Sequence, residues 1–115
     1  MTLTKQQIAE IESAANNFLF HIRPPKELRD KIDISYRIKG QSVTIFEIRP
    51  HWDEPEKLQE IEVAKTTFVA AKNQWKVYWM RASLKWENYP PNPIVTEIQD
   101  FFDIVQKDEK SCFFG

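Results

Sequence analysis

The stretch Ile32-Asp33-Ile34-Ser35-Tyr36-Arg37-Ile38-Lys39-Gly40-Gln41-Ser42-Val43-Thr44-Ile45-Phe46-Glu47-Ile48-Arg49 (residues 32–49) decides the fold class. Ile32, Ile34, Tyr36 and Ile38 alternate with Asp33, Ser35, Arg37 and Lys39, which is the period of a strand with one buried face. Gly40-Gln41 permits a tight hairpin, the glycine supplying the unusual backbone angle. Val43 to Arg49 reads as the return strand. Its Val43, Ile45, Phe46 and Ile48 are apolar on both faces, which marks a central strand.

Toward the N-terminus the chain reads as a capped helix. Thr4 stands at the N-cap with Gln7 three residues on, a capping box, and Leu3 and Ile8 occupy staple positions. Ile8, Ile11, Ala15, Phe18, Leu19 and Ile22 recur at helical spacing. Arg23-Pro24-Pro25 ends the helix, because a residue before proline avoids the helical region.

Toward the C-terminus, Pro50-His51-Trp52 breaks the return strand, and Asp53 to Gln59 is an acidic loop around Pro55. Ile61 to Ala71 reads as a third strand, although Ala64, Ala70 and Ala71 also suit a helix. Lys72-Asn73-Gln74 is a turn, and Trp75 to Trp86 a fourth strand dense in aromatic and β-branched residues. Tyr89-Pro90-Pro91 is a rigid linker. Asn92 caps a last helix with Pro93 at its first position, and Ile94, Ile98, Phe101, Phe102 and Val105 form its apolar stripe. The tail, Ser111 to Gly115, is expected to pack back through Phe113-Phe114. The expected architecture is a single α+β domain over residues 1–115: an N-terminal helix, a four-stranded antiparallel meander and a C-terminal helix, with both helices on one face.

Composition narrows the classes. A chain of 115 residues with 42% hydrophobic and 13% aromatic content and a net charge of -1 has the material for one core and is not a disordered chain. Two glycines leave no glycine-rich phosphate loop. No apolar run reaches the ~18–20 residues of a membrane span. Met1 to Lys5 is polar, unlike a signal peptide, so no membrane association is expected. The single cysteine, Cys112, excludes an internal disulfide and fits a reducing cytosol. Charge is unevenly spread: residues 23–52 and 61–90 each carry +3, whereas 53–60 and 91–115 each carry -3. The basic blocks coincide with the aromatic, strand-rich segments, so an anion favours that part of the chain.

Catalytic signatures are thin. In a two-residue turn, Glu47 and Arg49 share the face of Ile34, Tyr36 and Ile45, where a carboxylate needs a partner and Arg49 is at hand. A three-residue turn places Glu47 on the polar face instead. The functional reading makes Glu47 a metal ligand or general base beside His51. Histidines and cysteine at 21, 51 and 112 show no zinc spacing, so no metal or cofactor is expected. A magnesium site would need Glu47 together with Asp33 or Glu62. No Glu-x-Lys or Asp-x-Lys of nuclease type lies inside a strand. Cys112 beside Phe113-Phe114 reads as a small buried hydrophobe, and Ser83 has no serine-histidine context.

The strongest positive pattern is Trp75-Lys76-Val77-Tyr78-Trp79-Met80-Arg81-Ala82-Ser83-Leu84-Lys85-Trp86. If it is one strand, Trp75, Val77, Trp79, Arg81, Ser83 and Lys85 share a face. Lys76, Tyr78, Met80, Ala82, Leu84 and Trp86 share the other, and we take this second face as the core side. The first then exposes tryptophans among cations, a surface suited to single-stranded nucleic acid: bases stack on rings and phosphates meet the cations. The alternative covers both tryptophans with the N-terminal helix or the tail. Arg37, Lys39 and Arg49 extend the surface onto the hairpin.

Arg23-Pro24-Pro25, Phe46-Glu47-Ile48-Arg49-Pro50-His51-Trp52, Tyr78-Trp79-Met80-Arg81 with Leu84-Lys85-Trp86, and Cys112-Phe113-Phe114-Gly115 together resemble the bacterial "domain of unknown function 3024" family. The resemblance spans nearly the whole chain. It implies a small cytosolic bacterial protein, brings no activity with it, and adds weight to Glu47, Arg49, His51, Trp52, Trp79, Arg81, Lys85 and Trp86. We expect those residues to converge at one end of the central strands. The leading expectation is a non-enzymatic, cytoplasmic module that binds single-stranded nucleic acid through Trp79, Arg81 and Lys85, with Arg37, Arg49, Trp52 and Trp86 around them. One alternative is an enzyme on a phosphodiester or other anionic substrate using Glu47 and His51. Another is a protein-interaction module or homodimer, suggested by the long helical stripe and the apolar tail.

Overall fold

The computed structural model describes residues 3–108 together with Phe113 and Phe114. Helix α1 spans Lys5–Ile22 and begins as the sequence predicts: the Thr4 hydroxyl accepts from the Gln7 backbone N–H while the Gln7 amide accepts from the Thr4 N–H. Such a reciprocal box satisfies two of the helix's orphan donors. A short 3-10 turn, Lys26–Leu28, leads into strands β1 (Asp33–Lys39) and β2 (Ser42–Pro50). Lys39 pairs with Ser42 across a two-residue turn in which Gly40 has φ +60°. Strands β3 (Leu58–Val69) and β4 (Gln74–Met80) continue the meander, joined by a 3-10 turn that closes on Asn73 in the left-handed region.

Among the described residues the sheet has six strands rather than four. Its order is β1-β2-β3-β4-β5, with β5 at Trp86–Asn88, and β6 (Ile94–Val95) also pairs with β4. Both late strands lie along the same edge of β4. Tyr89 N–H donates to the Val77 carbonyl, and Val77 N–H donates to that of Pro93. The fourth strand expected over 75–86 therefore stops at Met80, and residues 81–85 are a turn. Helix α2 (Ile98–Lys107) starts later than the Asn92-Pro93 signal suggests. Pro93 lacks an N–H, and its carbonyl serves the sheet edge, so the segment stays extended until Glu97 caps the helix.

Both helices cover one face. Ile11, Ala15 and Phe18 of α1 and Phe101, Phe102 and Val105 of α2 form a core with Ile34, Val43, Ile45, Ala64, Trp75 and Val77. Phe18 and Phe102 meet with ring centroids 5.4 Å apart. Truncating a buried phenylalanine of this kind to alanine costs about 3–5 kcal/mol. The stripe of α1 is thus used within the chain. The tail packs back as expected at Phe113, which is buried against Tyr89 at 4.9 Å, while the Asp108 carboxylate accepts from the N–H groups of Phe113 and Phe114. Ser111, Cys112 and Gly115 lie outside the described residues. No helix among the described residues is long and apolar enough to cross a membrane.

One irregularity sets the chemistry of the far end. Ile45 pairs with Ala64, but Phe46 pairs with Glu62, so Val63 is an extra residue in β3. A bulge re-aims the residues beyond it. In a regular ladder Glu62 would stand opposite Glu47. The bulge gives Glu47 the neighbour Ile61 and turns Glu62 to the opposite face.

Candidate nucleic-acid interface

The face of the sheet away from the helices carries an aromatic and basic surface. Residues paired across strands share a face. Arg37, Thr44, Lys65, Tyr78 and Asn88 therefore form one row across five strands. Lys39, Ser42, Thr67, Lys76 and Ile94 form the next. Phe46 and the Met80–Trp86 pair flank the first row on the other side. The Arg37 guanidinium lies over the Phe46 ring at 4.2 Å. The Lys65 ammonium stands 5.2 Å from the Tyr78 ring centre and 5.0 Å from that of Trp86. A shallow depression of about 580 Å³ is lined by Lys76, Tyr78, Trp86, Glu87 and Asn88. Arg37 also pairs with Glu60, so the cations of this face without an ion pair among the described residues are Lys39, Lys65 and Lys76.

The seven binding residues expected from the sequence fall into three groups. Arg37 and Trp86 belong to this open face. Trp79 does not: with Trp75 and Val77 it lies on the helix side, packed against the core. The expected core side of the fourth strand is thus inverted, and the aromatics on the open face are the half-buried Tyr78 and Trp86 rather than Trp75 and Trp79. The Trp79 indole Nε1 is buried with no hydrogen-bond partner among the described residues. Arg81 and Lys85 sit in the β4–β5 turn, where Arg81 N–H donates to the Lys85 carbonyl and the Arg81 guanidinium pairs with Glu87 at 2.7 Å. Arg49 lies on the helix side of β2, and Trp52, 84% exposed, lies in the loop after it. Tyr78, Lys65, Lys76 and Asn88 were missed as site residues. The alternation of Lys76, Tyr78 and Met80 carried the signal for the strand's open side.

A model of the family described as "Domain of unknown function (DUF3024)" matches residues 3–115. The chain belongs to this family. No curated protein and no solved structure matches it.

In this DUF3024 chain Glu47 is held in an ion pair. It is on the face of Ile34 and Ile45, as a two-residue turn requires, and its carboxylate accepts from Arg49 at 3.0 Å. The side chain is only 13% exposed, so the ion pair satisfies a charge that burial would otherwise penalise. His51 has other partners: its Nδ1 accepts from the N–H groups of Asp53 and Glu54 at 3.1 and 3.3 Å, and its ring stacks on Trp52 at 5.8 Å. The magnesium set is not assembled, because the bulge sends Glu62 to the other face and Asp33 is held by Arg23 through two 2.7 Å bonds. That guanidinium, with the Ile34 N–H, keeps the Asp33 carboxyl below its ordinary range against the opposing effect of burial. Burial, and secondarily the Glu12 carboxylate, raises the Tyr36 hydroxyl.

A further cleft of the DUF3024 chain, about 650 Å³, lies elsewhere, between the N-terminal halves of both helices and the β3–β4 end. Its lining includes Gln7, Glu10, Phe68, Asn73, Glu97 and Gln99 and contains no lysine or arginine. It offers a phosphate no cationic side chain. Among the described residues, no three His, Cys, Asp or Glu side chains group closely enough to hold a metal.

Proposed function

We propose that this chain binds single-stranded nucleic acid on the helix-free face of its sheet. The observation that carries this reading is the arrangement of Tyr78 and Trp86 around Lys65, beside Lys76 and Asn88. A base stacks on the Trp86 or Tyr78 ring, and Lys65 moves from over the rings to the adjoining phosphate. Lys76 meets the next phosphate along the depression. The Asn88 amide, paired across from Tyr78, supplies a donor and an acceptor to a base edge. A duplex hides its base faces, so the arrangement favours a single strand. Most of the affinity comes from phosphate contacts and stacking, and both tolerate sequence variation.

The test compares two tryptophans. Trp86→Ala removes a stacking surface worth about 1–3 kcal/mol per base, which is roughly five- to 150-fold in affinity. Trp79→Phe, on the covered side, leaves affinity unchanged. Oligonucleotide titrations of both variants against the unaltered chain read this out. Loss of binding in the Trp79 variant with none in the Trp86 variant would contradict the placement.

A further inference from the structure

We propose that the free edge of β1 pairs antiparallel with the same edge of a second copy of this chain, about a twofold axis through Tyr36. This goes beyond the nucleic-acid reading and does not depend on it. The direction of the edge groups follows from one bond. Phe68 N–H donates to the Gln41 carbonyl, and bonded pairs alternate along an antiparallel ladder. Val43 and Ile45 therefore turn their backbone polar groups toward β3, while Ser42, Thr44, Phe46 and Ile48 turn theirs toward β1. Their partners Lys39, Arg37, Ser35 and Asp33 use their own groups inward. Ile34, Tyr36 and Ile38 are left presenting N–H and C=O outward. Ile34 N–H is already met by the Asp33 carboxylate at 2.8 Å. The N–H groups of Tyr36 and Ile38, and the carbonyls of all three, meet no strand among the described residues. An open row of this kind is a template for a further strand.

The side chains select a second copy and a register. In a pairing centred on Tyr36, Ile34 stands opposite the partner copy's Ile38, and the two Tyr36 rings stand opposite each other. All of these lie on the helix face, where each already packs against its own core. On the open face, Asp33 falls opposite the partner copy's Lys39 and Ser35 opposite its Arg37. Lys39 has no ion-pair partner among the described residues of its own chain, and a carboxylate bound to Arg23 keeps lone pairs for another donor. Sliding the pairing toward the turn sets Arg37 against Arg37, which repels. Sliding it the other way shortens the ladder and leaves Lys39 unpaired. The centred register alone pairs all seven residues of β1 without like charges opposed. It also joins the two open faces into one continuous surface.

Sedimentation of the intact chain from micromolar to submillimolar concentration tests this. The expected result is a concentration-dependent species of twice the 13.7 kDa chain mass; a monomer throughout overturns the proposal. Lys39→Asp, at an exposed position, sets acid against acid twice per dimer and should weaken association about tenfold. Ser35→Cys with Arg37→Cys, in a Cys112→Ala background, should oxidise to a covalent dimer. A dimer indifferent to Lys39→Asp that forms no such cross-link lies at another surface and equally overturns it. Capture of an extended peptide on the β1 edge, with the chain itself monomeric, would do the same.

Discussion

Asp33 ties the end of α1 to the start of β1 through one carboxylate. It accepts two bonds from Arg23, at the end of α1, and one from the Ile34 backbone at the start of β1. These contacts lower its pKa, so its folded-state value lies below the unfolded value of about 3.9. The sign follows from proton linkage: the stabilisation is fully present above the unfolded pKa and is lost as pH falls through the lowered folded value. Arg23→Ala should therefore reduce stability at neutral pH by about 1 kcal/mol, discounted for the partly exposed guanidinium. The difference from the unaltered chain should vanish in strong acid. Urea midpoints measured across pH check this, and a difference that persists or grows in acid would refute it. Glu47 and Arg49 show how far residue-level reading reaches. Their shared face followed from alternation plus a two-residue turn, and the ion pair followed from the cost of burying a carboxylate. Nothing local to Glu62 revealed that a bulge at Val63 would turn it away from Glu47, because a bulge is a property of two paired strands.

At the scale of elements, α1 and the β1–β2 hairpin were legible because their determinants are local: a capping box, a helical stripe, strict alternation and one glycine. Strand β4 was inverted for a reason that can be named. Over residues 75–80 the odd positions, Trp75, Val77 and Trp79, are all apolar, whereas the even set contains Lys76. Extending the strand through Arg81 and Lys85 placed two cations on the odd face and tipped the choice. The true strand stops at Met80, and Leu84 lies in the turn at φ +63°, 80% exposed. A leucine in the left-handed region is strained by roughly 1–2 kcal/mol. Leu84→Gly relieves that strain, offset in part by the greater freedom of glycine in the unfolded chain, and should stabilise by about 0.5–1 kcal/mol. A raised denaturant midpoint with an unchanged slope is the expected readout; a lowered midpoint would mean that Leu84 packs in a way its exposure does not show. The Asn92-Pro93 signal failed for a related reason. Proline suits the first turn of a helix and the edge of a sheet alike, and the β4 partner that decides between them is distant in sequence.

At the scale of the whole molecule the fold is elongated, 44 × 29 × 26 Å, and among the described residues two α-helices lie on one side of the sheet and none on the other. Residues 91–115, which include α2, carry -3, while the open strand face carries Arg37, Lys39, Lys65 and Lys76 against Asp33, Glu60 and Glu62. The aromatic-basic composition was legible in the sequence. The face that bears it was not, because that depends on where the helices pack. An interface built on Lys65 and Lys76 should release counterions on binding, so affinity falls as salt rises, and Lys65→Ala should flatten that slope by about one phosphate contact. The most direct measurement is a fluorescence-anisotropy titration of labelled single- and double-stranded DNA and RNA at low and moderate salt. Salt-sensitive binding of the single strands, at micromolar affinity or better and tighter than the duplexes, is the predicted result. No binding at low salt, where phosphate contacts are strongest, or a preference for duplex would contradict it.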